Sequence, residues 1–341
     1  MKLLRCILYP LALLYGFVVA IRNFLFDRGF LKTHTISMPS IGVGNLSLGG
    51  TGKSIVIDYL IVLLKKKYSI SVLSRGYKRE TSGVVVGTVN SSAAMIGDEP
   101  LQFLKKHPSI TVVVAEKRIL GLNKIKEIKP SNTIVLLDDI MQHRHVKPSL
   151  LIITTTYNKP YFSDHLLPTG NLRESSLGAK RANVILVTKC PDTISNQDIN
   201  SFKKKCVLSK DQHLFFTKIN YSPYIFNGVS SLLLSELTSS VLLITGISDP
   251  SPMVKFLNKK GIKHIHLAYP DHHAFTTSDI QEIYKQKGES ILLTTEKDMT
   301  RLTPMIKETY LYYLPIEMVF LHSSEKAVFE NLILNEASNI V

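Results

Sequence analysis

The residues with the clearest chemistry are Ser47-Leu48-Gly49-Gly50-Thr51-Gly52-Lys53-Ser54. Gly49, Gly50 and Gly52 leave backbone N–H groups free to converge on an anion. The helix-compatible run from Ser54 to Lys67 adds the positive end of its dipole. Lys53 is placed to reach the β- and γ-phosphates of a nucleotide, and the Ser54 hydroxyl to ligate Mg2+. The spacing departs from the usual phosphate-loop pattern at one position, where Ser47 stands for the first glycine. The competing reading is a glycine-rich turn before a helix. Gly-Lys-Ser after the apolar run Ile41-Gly42-Val43 argues against it.

Acidic residues supply the second half of such a site. Ile134-Val135-Leu136-Leu137-Asp138-Asp139 is an apolar strand ending in carboxylates, the arrangement that delivers an acid to Mg2+ beside a phosphate loop. Adjacent His143 and His145 also permit a zinc site with Asp138 and Asp139, but Mg2+ is the simpler expectation. In Gly97-Asp98-Glu99-Pro100, Asp98 reads either as a helix cap or as a general base. In Tyr269-Pro270-Asp271-His272-His273, His272 reads as a loop histidine or as half of an acid/base pair reaching across a cleft. Leu167 to Glu174 joins a rigid turn to Arg173 and Glu174, suited to phosphate and to metal or ribose. Thr294-Thr295-Glu296-Lys297-Asp298 is a polar cluster after a strand and is equally compatible with a solvated helix start.

These residues need a scaffold, and 341 residues suffice for two cores. Strand candidates at 70–73, 84–86, 111–114 and 134–137 alternate with helical runs at 99–106 and 117–128. That grammar predicts a doubly wound, mostly parallel α/β sheet of the P-loop type, with ligands at the C-terminal strand ends. The apolar run at 182–187 restarts it, so the expected division is a phosphate-loop domain at 32–181 and a second, smaller α/β domain at 182–341. Residues 1–31 are a different material. Cys6 to Ile21 carries no charge over 16 residues, flanked by Lys2 and Arg5 before and Arg22 and Arg28 after. As a helix it is about 24 Å long, short for a hydrocarbon core of about 30 Å. A helix lying in the membrane surface is favoured over a buried helix, a true span or a signal peptide. Net charge is +14, which suits an anionic partner. No zinc-finger or RNA-binding pattern accompanies it, so nucleic acid is not expected. Cys6, Cys190 and Cys206 lack the spacing of a disulfide framework or a structural zinc site.

Taken in order, these motifs resemble the tetraacyldisaccharide 4'-kinase family of lipid A biosynthesis. The resemblance rests on an apolar N-terminal helix, Val43 to Ser54, Ser74-Arg75-Gly76-Tyr77, Gly97-Asp98-Glu99-Pro100, Asp138-Asp139 with Gln142-His143-Arg144, Leu166-Leu167-Pro168 with Leu172-Arg173-Glu174, Asp271-His272 and Thr295-Glu296-Lys297-Asp298. It implies ATP and Mg2+ as cofactors and transfer of the γ-phosphoryl group to the 4'-hydroxyl of a tetraacylated glucosamine disaccharide 1-phosphate. It also implies a peripheral or monotopic enzyme at the cytoplasmic face of the bacterial inner membrane. By the same resemblance Asp98 is the base, paired with His272. Ser47, Leu48, Gly49, Gly50, Thr51, Gly52, Lys53 and Ser54 form the nucleotide loop, and Gln142 and Arg173 lie beside it. Ser54, Asp138, Asp139 and Glu174 are the implied metal positions. Ile140-Met141 and Asn171 depart from the family pattern and bear on local loop packing. The alternative from another class is a P-loop GTPase or metallochaperone-type hydrolase, but an Asn-Lys-x-Asp base reader is poorly matched.

Overall fold

The computed structural model describes residues 7–129 and 132–338. Lys2, Arg5 and Cys6, named above as the leading flank of the apolar run, lie outside them. The predicted alternation becomes two sheets. The larger has nine strands: from one edge β17 (Ile316–Phe320), β10 (His213–Tyr221), β9 (Val184–Thr188), β8 (Leu150–Thr156), β2 (Ser40–Gly44), β6 (Thr133–Asp138), β3 (Ser69–Ser74), β5 (Thr111–Val114) and β4 (Val85–Val86). Its inner strands are parallel, and β17 and β4 are antiparallel edges. The second sheet has six: β12 (Ser231–Leu233), β11 (Tyr224–Phe226), β16 (Leu311–Leu314), β15 (Ile291–Thr295), β13 (Val241–Thr245) and β14 (His264–Ala268). A short parallel pair, β1 (His34–Thr35) and β7 (Val146–Lys147), stands apart.

The helices are α1 (Tyr9–Asp27), α2 (Lys53–Leu64), α3 (Ala93–Ile96), α4 (Asp98–Lys106), α5 (Arg118–Ile128), α6 (Asn196–Cys206), α7 (Ser251–Lys259), α8 (Thr277–Lys287), α9 (Glu296–Leu302) and α10 (Ser323–Ser338). Strand β2 and helix α2 show why the sequence folds this way. Every residue of β2 is buried, as expected of a central parallel strand covered on both faces. Helix α2 buries Val56, Ile57, Leu60, Ile61 and Leu64, a three-and-four spacing that seats one stripe on the sheet. Each such side chain contributes roughly 1.5–3 kcal/mol. The next residues, Lys65-Lys66-Lys67, take the chain back to solvent.

The expected division at residues 181 and 182 does not coincide with the boundary between the sheets. Strands β9, β10 and β17 complete the larger sheet, and α10 packs Phe329 and Ile333 into its core. Only 224–314 supplies strands to the second sheet. The cause is long-range pairing, β9 on β8 and β10 on both β9 and β17, which the local apolar pattern does not encode. The chain passes between the sheets after β10 and again at Pro315, where Ser222 N–H donates to the Pro315 carbonyl at 3.0 Å.

Helix α1 is not a core helix. Ala12 and Phe26 are its buried residues, while Leu13, Leu14, Phe17, Val18 and Phe24 are each more than half exposed. Its docked stripe carries polar partners as well. Tyr15 Oη–H donates to the Arg173 carbonyl (2.6 Å), Asn23 Nδ2–H to Glu174 (3.1 Å), and Arg22 to the Gln142 carbonyl (2.5 Å).

Candidate active site

A cavity of about 540 Å³ lies between the C-terminal strand ends of the larger sheet and the second sheet. Two chemically different walls face each other across it. The first is the segment between β2 and α2. Gly49 and Gly52 have φ of 98° and 89°, which an L side chain resists, so the backbone can curl and present its amides. The loop is braced from beneath. Thr51 Oγ1 accepts from Asn45 Nδ2 at 2.8 Å and lies 2.7 Å from Thr154 Oγ1. Leu48 N–H donates to the Asn171 carbonyl at 2.7 Å, and Arg173 N–H to the Leu46 carbonyl at 2.7 Å. The departures from the family pattern fit this brace. Asn171 is tied to Asp164 through its backbone and side-chain nitrogens. Ile140 and Met141 are buried against Gly42 and Gly44, where a Cβ would come within 2.7 Å of each.

Strand β6 delivers the acids beside this loop. Asp139 accepts both terminal nitrogens of Arg173, at 2.9 and 2.8 Å, and lies 3.5 Å from Lys53 Nζ. Burial alone raises its pKa, but the Arg173 fork and Lys53 more than offset this and hold it well below the usual carboxylate range. Asp138 is placed differently. Its Oδ2 accepts from Ser74 Oγ at 2.9 Å, while Oδ1 is buried with no hydrogen-bond partner. Burial, then nearby Glu99 and Asp139, push its pKa up. An orphaned buried carboxylate oxygen next to a phosphate loop suits a hard divalent cation, so the donor set here fits Mg2+.

The opposite wall holds Asp98 and His272, 174 residues apart and joined by a 2.9 Å hydrogen bond from Nδ1 to Oδ2. Asp98 is the first residue of α4, but Gly97 occupies the cap position, so the helix-cap alternative does not hold. The Asp98 side chain turns to His272 instead. Burial raises its pKa, and the His272 hydrogen bond with the charges of Arg301 and Lys297 outweighs this and lowers it. His272 sits at φ 58°, which costs a non-glycine residue of order 1–3 kcal/mol, and its N–H donates to the Gly246 carbonyl at 3.1 Å. Arg301 ties this corner together, donating to the Gly246 carbonyl (3.0 Å), the His273 carbonyl (2.9 Å) and fully buried Asp298. The polar cluster at 294–298 is therefore a packed helix start, not a solvated one.

The two walls are clamped by a second set of charges. Lys106 of α4 lies 3.0 Å from Asp58 of α2 and 2.9 Å from Glu296 of α9. Burial pulls the Lys106 pKa down, but two carboxylates around one ammonium raise it overall. Burial raises Glu296, which has only a share of that ammonium and a hydrogen bond from Gln102 to offset it.

Of the residues expected from sequence, Ser47 to Ser54, Asp98, Asp138, Asp139, Arg173 and His272 line the cavity. Gln142 and Glu174 do not. Gln142 Nε2 donates to the Asn45 carbonyl (3.0 Å) and to Glu174 (3.0 Å). Glu174 is buried and also accepts from Arg181 (2.7 Å) and Asn23 (3.1 Å). Its carboxylate thus has one guanidinium and two amides and lies outside the cavity lining, which places it as a strut between the loop and α1. His145 stacks edge-on against Phe26, 4.9 Å between centroids, and among the described residues no metal-binding cluster of His, Cys, Asp and Glu forms. Lys189, Tyr221, Ser248 and Asp249 also line the cavity and were not anticipated. The available signal was position: Lys189 directly follows β9, and Ser248 and Asp249 follow β13, at C-terminal strand ends.

Comparison with known proteins assigns the chain to a family. The family model described as tetraacyldisaccharide-1-P 4'-kinase matches residues 4–337. A tetraacyldisaccharide 4'-kinase from Flavobacterium psychrophilum is 45% identical over 338 residues, covering 98% of this chain and 97% of the relative. The enzyme of that name from Bacteroides thetaiotaomicron is 43% identical, covering 96% and 92%. A solved structure of LpxK from Aquifex aeolicus in complex with ATP superposes with a TM-score of 0.77 at 30% identity, covering 98% of this chain and 99% of that one.

Proposed function

The chain belongs to the tetraacyldisaccharide-1-P 4'-kinase family, and from that premise we propose that its cavity moves the γ-phosphoryl group of ATP to the 4'-hydroxyl of an acylated glucosamine disaccharide 1-phosphate. One observation carries the assignment of residues: the phosphate loop, the β6 acids and the Asp98–His272 pair line a single cavity. The amides of 47–54 and Lys53 bind the phosphates. Asp138, Asp139 and Ser54 would hold Mg2+, which would neutralise charge on the polyphosphate. Arg173 keeps Asp139 aligned through its fork. An alcohol has a pKa far above neutrality, so a base must stand at the acceptor wall. Asp98 takes the hydroxyl proton as the oxygen attacks phosphorus; the bond to the β–γ bridging oxygen breaks, and ADP leaves. The GTPase or metallochaperone alternative is set aside by the family match.

The exposed apolar side of α1 supports a membrane-seated helix. Its opposite side is docked along residues 12–26 on the struts beneath the phosphate loop, which favours lying in the bilayer surface over crossing it. The net charge of +14 suits anionic lipid, and a requirement for ATP supports a position on the cytoplasmic face. The test is transfer of labelled γ-phosphate from ATP to purified lipid disaccharide, with Lys53→Ala as control. Transfer is expected in the wild type only. Activity that persists in the control, or ATP hydrolysis without lipid labelling, sinks the reading.

A further inference from the structure

The acceptor wall contains a third member that the reaction as described does not use. Lys297 Nζ lies 3.1 Å from His272 Nε2 and 3.5 Å from Glu99 Oε1. The lysine is the second residue of α9, on the second sheet, whereas Asp98 and Glu99 open α4 on the first. An ammonium has three donors and no acceptor. A hydrogen bond from it therefore requires an unprotonated Nε2, which places the ring hydrogen on Nδ1, facing Asp98 Oδ2 at 2.9 Å. Asp298, one residue on, is buried with no exposed surface and anchors the start of α9 through Thr295 and the Gly246 N–H, so the lysine stem emerges from a fixed base.

We propose that Lys297 is the positioning residue of the acceptor base, fixing His272 as the Nδ1–H tautomer so that Asp98, and not the imidazole, meets the substrate hydroxyl. The proposal rests on the reading of Asp98 as base and deepens it. With Nε2 engaged by Lys297, His272 has no lone pair left for a substrate proton. Its one hydrogen orients the carboxylate. The groups facing His272 are Asp98 and Glu99 from α4, Asp271 at 3.9 Å from its own loop, Lys297 from α9, and the edge-on ring of Tyr77 at 5.4 Å, with Arg301 behind Asp98 at 3.6 Å. Lys297 alone among these puts a donor on Nε2, so its removal leaves that nitrogen facing the Asp271 carboxylate, an acceptor at 3.9 Å.

The test uses the full chain in detergent, with nitrogen-15 histidine and His272→Gln to assign the signal. In the wild type near neutral pH, Nε2 is expected to show the shift of an unprotonated nitrogen and Nδ1 that of a protonated one. Lys297→Met is expected to mix the tautomers, lower kcat about 10-fold and leave the KM for ATP within about twofold. The acid limb of kcat moves up, because the Lys297 charge helps hold the Asp98 carboxyl down. Lys297→Arg recovers most of the rate. An unchanged nitrogen-15 signature in Lys297→Met overturns the proposal. So does a rate loss with an unmoved acid limb and an equal rise in KM, the mark of a merely structural role. If Lys297→Met does not fold, Lys297→Gln is read by the same signals. Asp98→Ala separates the two claims: full turnover there removes the base assignment, whatever the tautomer does.

Discussion

The two walls of the cavity are built by opposite strategies. The phosphate wall is contiguous: eight residues running from the loop after one strand into the first turn of one helix provide the amides, the lysine and the hydroxyl. Its bracing partners, Asn45 and Thr154, are fixed in the buried centre of the larger sheet. The acceptor wall is assembled. Asp98 comes from a helix of the first sheet, His272 and Lys297 from the second, and each is held through groups of the other. Phosphate wall changes should therefore act on nucleotide binding through local geometry. Acceptor wall changes should act on transfer and should feel any loosening between the sheets.

Four experiments press on that contrast. The largest effect is expected for Lys53→Ala, which removes the cation nearest the phosphates. Turnover should fall by about 10³-fold or more, with weakened ATP binding by calorimetry. Retained ATP affinity would blur the distinction. Next is Asp98→Asn, which keeps shape but not basicity. A loss of about 10²–10⁴ in kcat with unchanged ATP affinity is expected, and a matching rise in the KM for ATP would move Asp98 to the other wall. The same variant carries a pH signature. The folded-state pKa of Asp98 is lowered, so its contribution to stability is present above the ordinary carboxylate pKa and is lost as pH falls through the lowered value. The stability gap between wild type and Asp98→Asn in urea titrations should accordingly be full at neutral pH and close in acid. A gap that widens in acid contradicts the assigned shift.

A smaller effect is expected for Arg173→Lys, since a single ammonium cannot reproduce the fork on Asp139. The KM for ATP should rise about 10-fold with kcat little changed, read from initial rates. Smallest is Lys106→Met, which cuts the clamp between α2, α4 and α9. Leaving Asp58 and Glu296 without their shared cation should cost about 1–3 kcal/mol in urea melts, less than for a fully buried pair because the side chains retain some exposure. The kcat should fall several-fold while ATP affinity holds. Weaker ATP binding with unaltered kcat would show that the clamp serves the phosphate wall instead.

Much of this architecture was legible in residue order. A phosphate site needs adjacent amides, so Gly49 to Ser54 announces it without help from the rest of the fold. An apolar strand ending in acid announces Asp138 and Asp139 for the same reason. The capping box that opens α8, Thr276 with Asp279, is likewise local. Other features depend on distance. Glu174 carries the same motif as Arg173, yet one side chain reaches the cavity and its neighbour turns under it to Arg181 and Gln142. A sequence motif gives both residues and cannot give the side to which each points. Asp98 reads equally as a helix cap until His272 arrives from 174 residues away. Lys189, Tyr221, Ser248 and Asp249 became cavity residues only when their strands took places in the sheets. The sequence by itself determined the phosphate loop, its acids, the parallel α/β grammar and the unusual first helix, because each is specified by neighbours within one turn or one strand. Tertiary structure alone decided where the first sheet ends, which face of α1 is docked, and that a lysine holds the histidine that holds the base, because strand pairing and hydrogen bonds between distant side chains have no local signature.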